Sequence, residues 1–125
     1  VRITRMTTVF DAADIDAESR FWAGVLGGSV EATDDDWRAV RVDGANPVSV
    51  QLAPDHVPPQ WPHGNPQQAH LDLWVEDVAA AHEQVMSVGA ALLQEAQHPE
   101  EDEDFQVYAS PAGHPFCLCF SRTAP

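Results

Sequence analysis

The chain has 125 residues and a mass of 13.6 kDa, with 44% hydrophobic and 21% charged residues, which is one domain's worth of globular rather than disordered composition. Its 20 Asp and Glu oppose 6 basic residues, all arginine, for a formal net charge of −14. That field repels nucleic acid and anionic membrane surfaces, and a chain without lysine has neither Schiff-base chemistry nor a P-loop. No apolar run approaches a membrane span, no basic-then-apolar leader opens the sequence, and Cys117 and Cys119 build no disulfide framework, so a reduced, cytoplasmic protein is expected.

Residues 6–11 read as a first strand. Asp14 then stands where an N-cap is wanted, Phe21, Val25 and Leu26 recur at helical spacing, and Gly27 suits a left-handed helix stop. Strands are expected at 29–32, 37–42 and 48–52, with Asp43-Gly44 turning the chain before the last. Pro54, Pro58, Pro59, Pro62, Gly64 and Pro66 exclude helix and central strand, so residues 54–66 form a linker. It separates a first module, about 1–53, from a second, about 67–121, within a single domain spanning 1–125.

The second module repeats the first. Residues 69–75 alternate with period two, Asp77 caps a helix carrying Val78, Val85 and Val88, and Gly89 ends it. Strands follow at 91–93, 105–108 and 116–120, with Pro111-Ala112-Gly113 as the last turn. Matching caps and stops lie 63 and 62 residues apart, the mark of an internal duplication. Between two of these strands, the five adjacent acids 100–104 repel one another and read as a mobile, solvated surface loop, without the glycine and spacing of a calcium loop.

A βαβββ unit covers one sheet face with its helix and leaves the other bare. Two units solve the problem jointly if their bare faces enclose a cavity. Parity turns Leu71, Leu73, Val75, Val48, Val50, Leu52, Phe116, Leu118 and Phe120 toward the helices. Ser49, Gln51, His70, Asp72, Trp74, Cys117 and Cys119 share the opposite face, whose polar and aromatic character suits a small-molecule site.

Phe21-Trp22-Ala23-Gly24-Val25-Leu26-Gly27, His70-Leu71-Asp72-Leu73-Trp74-Val75 and Ser110-Pro111-Ala112-Gly113-His114-Pro115-Phe116 occur in that order in a duplicated chain. The sequence thereby resembles the vicinal oxygen chelate superfamily (glyoxalase I, bleomycin-resistance proteins, extradiol dioxygenases) over about residues 3–121. It is most similar to small bacterial glyoxalase-like domain proteins. The resemblance implies an α+β fold of two βαβββ modules forming a curled mixed sheet around a cavity, and a homodimer. Metal-using members take ligands from the first and last strands of each half, which here gives Thr7, Gln51, His70 and Cys117. Threonine and glutamine are poor donors, so the site reads as vestigial and no cofactor is expected. The alternative is a divalent Zn, Ni or Fe ion held by His70 with Gln51, Cys117, or Asp11 if the first-strand register brings it in.

The expected cavity lining is Thr7, Trp37, Arg41, Gln51, His70, Asp72, Trp74, Tyr108 and Cys117. His70 and Asp72 are the catalytic candidates, as ligand or proton shuttle; the plainer reading is a cavity histidine hydrogen-bonded to Gln51 or Asp72. Trp37, Trp74 and Tyr108 either stack on a flat ligand or fill space. Arg41 reads sooner as a surface residue paired with an acid than as a carboxylate clamp, and Cys117 as inert packing. Trp22 is assigned to the core, while Trp61 is open between lid, subunit contact and surface. His56, His63, His82, His98 and His114 read as surface residues. The expected function is noncovalent binding of a small aromatic or amphipathic molecule, of sequestration or resistance type, with no nucleic-acid or membrane partner. Its rivals are a metal-dependent lyase, isomerase or dioxygenase, and a metal-free acid–base enzyme using His70 and Asp72.

Overall fold

In the computed structural model, which describes residues 1–123, the elements run β1 (Thr8–Ala12), α1 (Ile15–Leu26), β2 (Ser29–Asp34), β3 (Trp37–Val42) and β4 (Ala45–Leu52). After the proline-rich connector come β5 (Leu71–Trp74), α2 (Val78–Ser87), β6 (Ala91–Gln94), β7 (Glu103–Ala109) and β8 (Pro115–Ser121). The chain divides into two units, Val1–His56 and Val57–Pro125. Unit one holds a sheet in the order β1-β4-β3-β2 and unit two the same sheet as β5-β8-β7-β6. In each, the first strand pairs parallel with the last and the other neighbours are antiparallel, because a parallel partner needs a long crossover, here the helix and two strands.

The helices start as the sequence dictates. Asp14 Oδ1 accepts from the Ala17 N–H and Asp77 Oδ1 from the Ala80 N–H, both at 3.0 Å. Gly27 ends α1 in the left-handed conformation at φ 71°. The second stop differs: Val88 is the cap of α2, and Gly89 turns the chain one residue later.

Helix α1 lies on β2, β3 and β4 of its own unit, and α2 lies on β8. In unit one Trp22 is fully buried, stacked on Phe10 with centroids 5.0 Å apart, and its Nε1 donates to Glu18 at 2.9 Å. This bears out its assignment to the core. In unit two the helix face carries Tyr108 stacked on Phe116 at 5.4 Å. The Tyr108 hydroxyl is 2.7 Å from His82 Nδ1 on α2 and accepts from Gln106 Nε2 at 2.7 Å. Tyr108 therefore does not join the polar, aromatic face, and His82 is a half-buried partner of the core instead of a free surface residue.

The acidic run also departs from expectation. Strand β7 begins at Glu103, and Asp104 is 4% exposed. Asp104 accepts from Arg122 Nη2 (2.8 Å), the His98 N–H (2.8 Å), its neighbour Phe105's N–H (2.8 Å) and, at 3.2 Å, bonds His98 Nδ1. Arg122 also donates to the His98 and Glu101 carbonyls, and Asp102 accepts from Ser121 and the Thr123 N–H. Like charges one residue apart are tolerated because one of them is turned inward onto a guanidinium. The segment is clasped, not loose.

Candidate functional site

Period two decides the wall of unit two that faces away from α2. The register pairs Asp72 with Cys117 and Trp74 with Cys119 across β5 and β8, and Val107 with Cys117 and Phe105 with Cys119 across β7 and β8. Val107, Cys117 and Cys119 form a buried cluster on which Phe105 and Trp61 pack. Around it lies a cavity of about 490 Å³, with Trp61, Trp74 and Phe105 as aromatic walls and His70, Asp72 and Glu103 among its polar lining.

Two local devices hold Trp61 there. The connector closes on itself, with the Gln60 N–H donating to the Asn65 carbonyl at 2.7 Å and the Asn65 N–H to Gln60 Oε1 at 3.0 Å. At the turn before β8, Gly113 has φ 89°, and a Cβ there would sit 2.7 Å from Pro58 Cβ. Only glycine tolerates both the positive φ and that approach. The connector thus belongs to the wall.

His70 Nε2 lies 3.0 Å from Asp72 Oδ1, both side chains about half exposed at the cavity. Behind them the thiols are reluctant acids. Burial, then the charge of Asp72 beside it, pushes Cys117 up to about 12, and the same causes push Cys119 to about 11. Both cysteines are free, as their shared strand face requires. Burial pushes the Asp104 carboxyl up, but Arg122, the Phe105 and His98 backbone N–H groups and the His98 ring outweigh it and hold it well below the usual carboxylate range.

One donor atom from each of His70, Asp72 and Cys117 lies within 4.8 Å of the others. An imidazole, a carboxylate and a thiol are donors that suit a zinc-like cation, and three protein ligands are what a catalytic site of that kind takes. Asp72 is the member that the superfamily resemblance did not supply.

The remaining sequence candidates belong to unit one. Thr7 precedes β1, and its hydroxyl donates to the Asn46 carbonyl at 2.8 Å. Asp11 and Trp37 each pair with Gln51, so these three sit abreast on neighbouring strands. Arg41 pairs with Glu31 at 3.0 Å, the surface role expected of it. Since Thr8 pairs with Val48 and Leu71 with Phe116, counting along gives Ser49, not Gln51, as the counterpart of Cys117; Gln51 answers to Cys119. Gln67, Glu101, Glu103, Asp104 and Phe105 join the lining beyond the expected set.

A model of the glyoxalase-like domain matches residues 7–119. The chain belongs to that family. It is similar in fold to the fosfomycin resistance protein FosX from Listeria monocytogenes, with a TM-score of 0.72 at 9% identity over 98% of this chain and 100% of that one. A glyoxalase-related enzyme from Fulvimarina pelagi is similar at TM-score 0.69 and 17% identity, covering 98% of this chain and 92% of that one. Hypothetical protein SA1046 from S. aureus gives 0.65 and 15%, covering 96% and 95%. At these identities the likeness is one of fold, which is the expected glyoxalase/bleomycin-resistance/dioxygenase fold of two βαβββ modules. No curated protein matches the chain. No helix among the described residues is long and apolar enough to cross a membrane.

Proposed function

We propose that this glyoxalase-like protein binds a small aromatic or amphipathic organic molecule, in the manner of a sequestering or resistance protein, in the cavity of unit two. The observation that carries this reading is the set of Trp61, Trp74 and Phe105 around about 490 Å³ of space, a volume suited to a compact organic ligand. Trp74 supports it further: the indole is 61% exposed, an unfavourable place for a large apolar ring unless something covers it. The modules act as one cytoplasmic glyoxalase-like domain, paired as a homodimer. Thermal denaturation of the purified protein against a panel of flat aromatic compounds tests the binding. A binder raises Tm and loses its effect in Trp74→Ala, whose own Tm changes little. No shift with any compound overturns the reading.

The donor set favours a second reading, a metal-assisted lyase, isomerase or dioxygenase. His70, Asp72 and Cys117 would hold the ion, which when bound supplies a Lewis acid at the cavity. Asp72, as an anionic ligand, would offset part of the ion's charge, and the aromatic walls would exclude water from the bound molecule. Titration with Co²⁺ reads out a thiolate-to-metal absorption band that Cys117→Ser removes. Absence of that band, with no Zn, Ni or Fe by elemental analysis, overturns the metal reading. His70 and Asp72 moving a proton without metal remains the third candidate, tested by a bell-shaped pH–rate profile on a carbonyl substrate.

A further inference from the structure

We propose that the occupant of the unit-two cavity is a cation, specifically a protonated amine carried on a flat apolar body. The inference rests on the binding reading above and adds the ligand's charge. Asp72, Glu101, Glu103 and Asp104 line the cavity, and no arginine does. Asp104 is matched by Arg122 and Asp72 faces His70, but the Glu101 and Glu103 carboxylates take part in no ion pair among the described residues. An anion entering this space meets uncompensated negative charge, and a neutral molecule gains only from the apolar wall. A cation gains from both.

The aromatic walls favour the same class. The faces of Trp61, Trp74 and Phe105 present negative π-density, which attracts an ammonium group and stacks on a flat ring. In the same wall, Gln67 Oε1 is buried without a hydrogen-bond partner. A buried acceptor left unpaired is costly, and the N–H of a primary or secondary ammonium is the donor such a group lacks. The chain's net charge of −14 adds a long-range field that concentrates cations at its clefts.

Three ligands of one shape separate charge from fit: 2-(2-naphthyl)ethylamine, protonated at neutral pH, its neutral alcohol counterpart, and 2-naphthylacetate. Calorimetric titration of the full chain is expected to show the amine binding at least about tenfold tighter than the alcohol, with the carboxylate weakest. Added salt should narrow the gap. The double variant Glu101→Gln/Glu103→Gln alters two exposed side chains and should weaken the amine while leaving the alcohol unchanged. An alcohol that binds as tightly as the amine, or a double variant that weakens both alike, overturns the charge selection and leaves the binding reading standing. Absence of both heat and a shift in Tm with all three at millimolar concentration overturns both.

Discussion

Along the first strands of the two units, Thr7 answers to His70, Val9 to Asp72 and Asp11 to Trp74; along the last, Ser49 answers to Cys117 and Gln51 to Cys119. The backbone frame is common to both, yet the donors have gathered in one unit. Where unit two keeps imidazole, carboxylate and thiol within 4.8 Å, unit one has a hydroxyl engaged with Asn46 and a fully buried serine bonded to the same residue's side chain at 3.1 Å. A duplicated sheet does not oblige both copies to carry chemistry. Hydrogen bonding to Asn46 fixes the one, and an open face equips the other.

Matched substitutions at corresponding positions sharpen this contrast. Trp22 and Val85 both stand eight residues after their caps and both are buried. Trp22→Ala should cost about 4 kcal/mol, through the cavity and the lost Phe10 stack, and Val85→Ala about 2 kcal/mol, read by urea denaturation. Equal losses would mean that the units do not differ in how their helices are anchored.

A smaller effect separates the acids. Trp37 pairs with Gln51 and Phe105 with Cys119, so Asp36 is the counterpart of Asp104, yet Asp36 is exposed and Asp104 is not. Asp104→Asn should cost about 2 kcal/mol at pH 7, while Asp36→Asn leaves stability unchanged. The pH dependence has a definite sign. A carboxylate held below its ordinary value stabilises the fold fully above about pH 4 and loses that contribution as pH falls through the lowered value. The gap between wild type and Asp104→Asn should therefore hold from pH 7 to about 4 and close only in stronger acid.

The smallest expected effect is one of likeness. Asp14→Ala and Asp77→Ala each remove the same cap bond and should each cost about 1 kcal/mol. A large inequality would show that one helix leans on its cap more than its packing suggests.

Much of this was legible in residue order. Caps, stops and period-two alternation located each helix and strand, and parity alone put His70, Asp72, Trp74, Cys117 and Cys119 on one face. Legibility failed where a local signal pointed away from a distant partner. Asp104 sits in a run of acids and finds its guanidinium 18 residues later, at Arg122. Tyr108 lies in a strand buried on both faces there, beside Val107, so no alternation marked the side it takes. The count from one module to the other slipped at Gln51 because β4 is longer than its hydrophobic pattern, beginning at Ala45.

The close approach of Pro58 to Gly113 makes the proline-rich stretch a fixed beam instead of a tether. A spacer inserted between Pro58 and Trp61 would swing the indole off its seat, whereas one inserted between His56 and Val57 spares it. Anyone exchanging halves between such proteins, or opening the chain to permute its ends, has the seam marked out there.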